Sequence, residues 1–324
     1  MAIRTPICDL LGIDVPIGSA GMAGSAGPAL AAAVAGAGAL GGLGGINGGG
    51  PEALRAEIHR VRDLTSAPFS VNLWIHMLPA VPAFFDVCLE MKVPSVTLSF
   101  GDPTPYVARA HDAGVLVLHQ AQTVAGAKLG AAAGVDAIIA QGGEAGGHTG
   151  SVATMALVPQ VVDVAGSIPV IAAGGIGDGR GLVAALALGA QAVIMGTRFV
   201  ASEESSTMAA QHRERIVAST ADDTLFTDVF DIVDGMSFPT GISGRVIATP
   251  FAREWYGRAD ELRAAREAIM AESGRPGELV ERAHSAYAGQ SSGLIHDVRP
   301  AADIVRDIMR EAEDVLAALA RLGA

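Results

Sequence analysis

Short apolar runs alternate with amphipathic, helix-like segments from residue 16 to residue 202, and this alternation predicts the architecture. Eight runs start near Pro16 (PIGSA), Ala39 (ALGGLG), Phe69 (FSVNLW), Ser95 (SVTLSF), Val115 (VLVLH), Ala137 (AIIAQGG), Val170 (VIAAGG) and Ala192 (AVIMGT). Between them Pro51–Thr65, Pro103–Ala113, Thr123–Ala133, Thr154–Ala165 and Arg180–Leu188 place apolar residues three and four apart, and several open on Pro or Thr. Most runs are apolar without alternation, as in strands covered on both faces of a parallel sheet. Eight βα units predict an α/β fold closed as a TIM (β/α)8 barrel. An open doubly wound sheet is the rival. Its GxGxxG fingerprint is not evident after the first run, and the glycines after Ala39 do not supply it because Pro51 delays the next helix.

Beyond Ser202 the pattern changes. Residues Glu203–Ile242 are more polar and weakly periodic, Ala252–Glu272 reads as a charged amphipathic helix, and Pro300–Leu322 as another with Ile304, Ile308, Val315 and Leu319 on its apolar face. The expected division is a barrel over 1–209, a small, mainly helical lid or second domain over 210–295, and a terminal helix over 296–324 packed back on the barrel.

Composition narrows the function classes. The chain has 324 residues, long enough for a substantial core, and 50% are apolar, with much of that share alanine. Its most apolar stretch, Gly27–Gly45, is broken by glycines, which argues against a membrane span. Met1–Pro16 carries Arg4, Asp9 and Asp14 and lacks the continuous apolar core of a secretory signal, so a cytoplasmic location is expected. A formal charge of −12 without any Lys/Arg run argues against nucleic-acid binding. Two cysteines, Cys8 and Cys88, read as small buried apolar residues rather than a disulfide or metal site. The histidines other than His148 are scattered and form no metal-ligand pattern, and no serine sits in a nucleophile elbow.

In a barrel, chemistry sits at the carboxyl ends of the strands, and phosphate commonly binds after strands seven and eight. That register selects Ala173–Gly177 after the seventh run and Gly196, Thr197 and Arg198 after the eighth, where glycine-freed N–H groups and a hydroxyl can cradle a dianion. It also brings Gly18–Met22, Asn72, His119, Gln120, Gln141 and His148 to the mouth. The three amides offer donors and acceptors suited to a heteroaromatic ring edge or a polyol chain. Gly142–Gly150 (GGEAGGHTG) sets one imidazole among five glycines; alone it reads equally as a flexible turn, and the barrel register is what favours a functional His148. Glu144, four residues earlier, is either its orienting carboxylate or a solvated one.

QGGEAGGHTG at Gln141–Gly150, IPVIAAGGIGDGRG at Ile168–Gly181 and IMGTRF at Ile194–Phe199 resemble the nitronate monooxygenase family, formerly called nitropropane dioxygenases. Val71–Leu73, the PIGSAGMAG segment and AGQSSGLI at Ala288–Ile295 extend the resemblance over nearly the whole chain. It departs in GSAGMAG, where many relatives carry Gln before Gly, and in Thr227–Pro250. The resemblance implies bound FMN. Met22, Asn72, Gln141 and Gly146 would contact the flavin or its ribityl chain, with Gln120 and Met195 beside them, and Gly174, Gly175, Gly196 and Thr197 would hold the phosphate. His148 would abstract a proton from a neutral nitroalkane or interact with a bound nitronate, and Ser291 is a further candidate.

The implied activity is oxidation of alkyl nitronates, with electrons passing through the flavin to O2 and yielding a carbonyl compound and nitrite. Its partners are a small-molecule substrate and O2, with a homodimer left open. The alternatives are an NAD(P)H-dependent flavin reductase of the enoyl-acyl-carrier-protein or quinone type, and a non-catalytic flavin-binding protein.

Overall fold

The computed structural model describes residues 3–46, 48–206, 210–272 and 287–322. Its strands are β1 (Ile17–Ser19), β2 (Gly41–Gly44), β3 (Phe69–Trp74), β4 (Ser95–Ser99), β5 (Leu116–Ala121), β6 (Ala137–Gln141), β7 (Gly147–Thr149), β8 (Val170–Ala173), β9 (Ala192–Met195), β10 (Thr224–Thr227) and β11 (Ser243–Ile247). Eight of them pair in parallel in the order β1-β9-β8-β6-β5-β4-β3-β2. The two ends meet where Ser19 N–H donates to Leu40 O and Leu40 N–H donates to Ile17 O, both at 2.9 Å. The expected TIM barrel is therefore the fold, and every one of its strands overlaps a predicted run.

Closing the barrel requires backbones to touch. A Cβ at Gly41 would lie 2.1 Å from Ala31 O, and one at Gly42 2.3 Å from Ser19 O, so β2 can pack on the preceding helix and on β1 only without side chains. Alternation along the strands separates two cores. Leu118, Ile139, Ile171 and Ile194 cluster with Leu40 and with Ile7, Cys8 and Leu11 of the helix Pro6–Leu11. Val71, Val96, Val117, Ile138, Ala172 and Val193 pack instead beneath the surrounding helices. The periodicity passes over three helices, Pro6–Leu11, Pro28–Gly36 and Ala83–Glu90. They are short, and Pro28–Gly36 is apolar on all sides, so none carries a clear two-faced signature.

The same alternation corrects His119. It precedes Gln120 by one residue and so faces the opposite way: it is buried, its Nε2 lies 3.1 Å from Gly101 O, and a Cβ at Gly130 would come within 2.5 Å of its Nδ1. It belongs to the strand–helix layer and not to the mouth.

After residue 210 the chain builds helices Ala210–Val217, Val229–Asp234, Pro250–Trp255 and Ala259–Glu272 around β10 and β11, which pair antiparallel. The single helix expected over Ala252–Glu272 is interrupted near Gly257, whose φ is +74°. Residues 273–286 of the expected lid, including His284, lie outside the described residues. The terminal helix Ala301–Ala320 buries Ile304, Val305, Ile308 and Ala312, while Leu319 at its end is exposed. It sits against Gly179, where a Cβ would be 2.4 Å from Ala312 N. Among the described residues no helix is long and apolar enough to cross a membrane.

Gly41→Ala should lower stability by about 1–3 kcal/mol through backbone displacement at the barrel seam. Gly36→Ala, with nothing within 4 Å of the new methyl, should be neutral or slightly stabilising; urea titration of both variants checks the pair. His119 supplies a pH test. Burial pushes its pKa below 6.5, so its contribution to stability is complete above that value and is lost as pH falls through the depressed one. His119→Leu should therefore lose less stability than the parent between roughly pH 7 and pH 5, measured by denaturant midpoints at each pH.

Candidate functional site

The glycine-rich stretch after β6 does not end as a free turn. Gly147–Thr149 is strand β7, and it pairs antiparallel with β11 so that His148 lies opposite Gly244. The three strands β10, β11 and β7 form one small sheet. His148 Nε2 lies 2.7 Å from Asp231 Oδ1, with both side chains about nine-tenths buried. Phe238 stacks on the imidazole at 3.5 Å between centroids and an interplanar angle of 14°. Trp74, Phe100 and Tyr287 surround the ring at 6.5, 6.3 and 5.5 Å. Phe100 takes this place with φ +63°, a conformation that costs an aromatic residue strain. His76 stacks on Trp74 and leans on Phe238; burial, and then the neighbouring His148, push its pKa down.

The strand ends also carry a network of neutral amides. Gln141 Oε1 accepts from both Gln120 Nε2 and Gln122 Nε2 at 2.9 Å, which leaves the Gln141 amide N–H groups to act as donors. Asn72 is held at both ends, donating from Nδ2 to Gly21 O at 2.7 Å and accepting from Ser99 Oγ at 2.9 Å. Such locked amides present fixed donors at little reorganisation cost.

The loops after β6, β8 and β9 meet beside them. Gly174 and Gly175 have φ of +99° and +72°, and Cβ atoms there would lie 2.7 Å from Gly142 O and 3.1 Å from Glu144 Cβ. Gly146 lies against the segment 288–289: a Cβ on it would be 2.5 Å from Gly289 N. Gly289 N–H donates to Thr197 Oγ1 at 2.9 Å, tying the same segment to the loop after β9. Ser291 is buried next to it, its Cβ 3.2 Å from where a side chain on Gly177 would begin. A Cβ on Gly196 would be 3.3 Å from Met22 Sδ, and Met195 is buried at the end of β9.

Two mouth residues do other work. Glu144 does not reach His148; its Oε2 accepts from Thr154 N–H at 2.7 Å and lies 2.8 Å from Thr154 Oγ1, fastening the first turn of the helix Thr154–Ala165. Arg198, expected beside the glycines after β8 and β9, instead directs its guanidinium to Asp297 and Ala201 O. Several residues of this arrangement, Phe100 and Tyr287 among them, are missing from the sequence reading. Gln122 was findable, since it follows Gln120 by two, just past the end of β5. Trp74 stands two after Asn72 by the same rule. Asp231 and Phe238 lie 83 and 90 positions beyond His148 in the weakly periodic region, and no local pattern marks them.

The nitronate monooxygenase family model matches residues 4–86 and 73–311. Among solved structures, FabK from Thermotoga maritima is similar at 40% identity and TM-score 0.87, covering 99% of each chain. The nitroalkane oxidase from Streptomyces ansochromogenes is similar at 31% identity and TM-score 0.78, covering 97% of this chain and 99% of that one. A curated relative from Mycobacterium tuberculosis, (3aS,4S,5R,7aS)-5-hydroxy-7a-methyl-1-oxo-octahydro-1H-indene-4-carboxyl-CoA dehydrogenase, is 41% identical over 248 residues, 73% of this chain and 65% of the relative. The matched part thus spans a little under two thirds of that relative's length. With its motifs, its barrel and a family match running through nearly all of it, the chain belongs to the nitronate monooxygenase family.

Proposed function

We propose that this protein is an FMN-dependent oxidoreductase that oxidises alkyl nitronates, and nitroalkanes by way of their nitronates, to carbonyl compounds and nitrite with O2. The observation that carries the reading is His148, buried among aromatic rings and paired with Asp231 on the glycine-rich segment that follows Gln141, whose amide is locked by Gln120 and Gln122. The donor set suits a flavin. The Gln141 amide N–H groups and the remaining Asn72 N–H are uncharged donors for the acceptors along a flavin ring; Gln120 is hydrogen-bonded to Gln141, whereas Met195, expected at the flavin, packs in the core beneath the helices. The loops at Gly174–Gly175 and Gly196–Thr197, with Gly146 and the 288–289 segment packed behind, would hold the phosphate. When bound, FMN supplies the two-electron acceptor and passes electrons on to O2.

The chain's own part is acid–base work and exclusion of water. His148 takes the proton from the carbon bearing the nitro group of a neutral nitroalkane, or, carrying its own proton, binds the nitronate anion. Trp74, Phe100 and Phe238 give the alkyl part of the substrate an apolar wall.

A second reading is favoured by one observation. FabK matches over the whole chain at higher identity than the nitroalkane oxidase, and the carboxyl-CoA dehydrogenase is a comparable relative. It makes the protein an NAD(P)H-linked enzyme acting on acyl thioesters or quinones at the same site.

The purified protein should be yellow, or should gain thermal stability when FMN is added; a colourless protein indifferent to FMN would sink both readings. His148→Ala should keep its flavin and lose roughly 100-fold or more in kcat/KM with a neutral nitroalkane, measured by O2 consumption and nitrite release. Mixing with NADH under anaerobic conditions separates the two readings. Slow flavin bleaching together with nitronate turnover is expected, and rapid bleaching without nitronate turnover would replace the first reading by the second.

A further inference from the structure

Asp231 is the only carboxylate that His148 touches among the described residues, and it comes from a different part of the lid. It sits on the helix Val229–Asp234 after β10, while His148 sits on β7 at the other edge of the same sheet. Arg266 Nε holds the carbonyls of Ile232 and Val233 at 3.0 Å each, anchoring the backbone just past Asp231. A carboxylate so buried is costly unless it accepts a hydrogen bond, and His148 Nε2 is 2.7 Å away. The nearer carboxylate in sequence, Glu144, is engaged by Thr154.

Resting on the proposed role of His148, we infer that Asp231 is the positioning residue of the site. An ionised carboxylate only accepts, so the neutral imidazole must place its hydrogen on Nε2. Its lone pair is thereby left on Nδ1, which has no hydrogen-bond partner among the described residues. Phe238 stacked on the ring face and Asp231 in the ring plane together remove its rotational freedom. The step then balances simply. The proton on the substrate carbon passes to Nδ1, the C–H electron pair stays with the substrate as nitronate, and the imidazolium charge forms against Asp231.

Nitrogen-15 NMR of the imidazoles in the purified flavin-loaded protein, with His148 assigned by its loss in His148→Gln, tests this directly. In wild type and Asp231→Glu the neutral form of His148 should carry its hydrogen on Nε2. The near-isosteric Asp231→Asn, and Asp231→Ala, should lose that preference and drop roughly 10- to 100-fold in kcat on a nitroalkane, with KM changed by less than about threefold. Hydrogen on Nδ1 in wild type, or an unchanged tautomer in Asp231→Ala, would overturn the assignment. The spectra need no turnover, so a wild-type protein inactive on nitroalkanes would defeat the functional reading while the tautomer comparison still decides the role of Asp231.

Discussion

The pairing of β7 with β11 is the interaction on which the site depends. Three residues of a glycine-rich loop, Gly147–Thr149, become the edge of a sheet whose other strands arrive after the barrel is complete. That edge converts a segment with little intrinsic order into a backbone with fixed hydrogen bonds, and a strand directs successive side chains to opposite faces. His148 is thereby aimed, and the helix carrying Asp231 and the loop carrying Phe238 are brought to it from the segment between β10 and β11. Remove the pairing and all three lose their common frame.

The glycines of the site look different in this light. Read as sequence, they are room for a ligand. In the structure, many of them are room for protein. Side chains at Gly142, Gly146, Gly174 and Gly289 would strike Thr154, Ala288–Gly289, Gly142 and Glu144 respectively, at 2.1 to 2.7 Å. The loops after β6 and β8 and the segment 288–289 can therefore nest at backbone distance. Close nesting is what brings loops distant in sequence to one place, and it leaves their polar atoms in defined positions.

The polar side of the mouth is organised by neutral groups that restrain one another. Gln141 accepts from two neighbouring glutamines, and Asn72 is held by Gly21 and Ser99. Each bond uses one half of an amide and so dictates which half remains. The charged residues near the mouth are diverted: Glu144 to a helix start, Arg198 to Asp297 and Arg245 to Gly143 O. The exception is Asp231, whose carboxylate is paired with the imidazole of His148.

The sequence by itself determined the barrel, the position of its strands and the loops that face its mouth, because apolar periodicity and βα spacing are local properties that survive in the linear chain. That His148, Gln141, Asn72 and the glycines after β8 and β9 lie near the carboxyl ends of the strands was legible by counting along those strands. What tertiary structure alone decided is which partners they have. Glu144 is four residues from His148 yet serves Thr154, whereas Asp231 is 83 residues away and is in contact. His119 and Gln120 are neighbours in sequence and face opposite layers. Pairing between the segment after β10 and the loop after β6 rests on long-range strand register and backbone nesting, and neither leaves a periodic trace in the residues that take part.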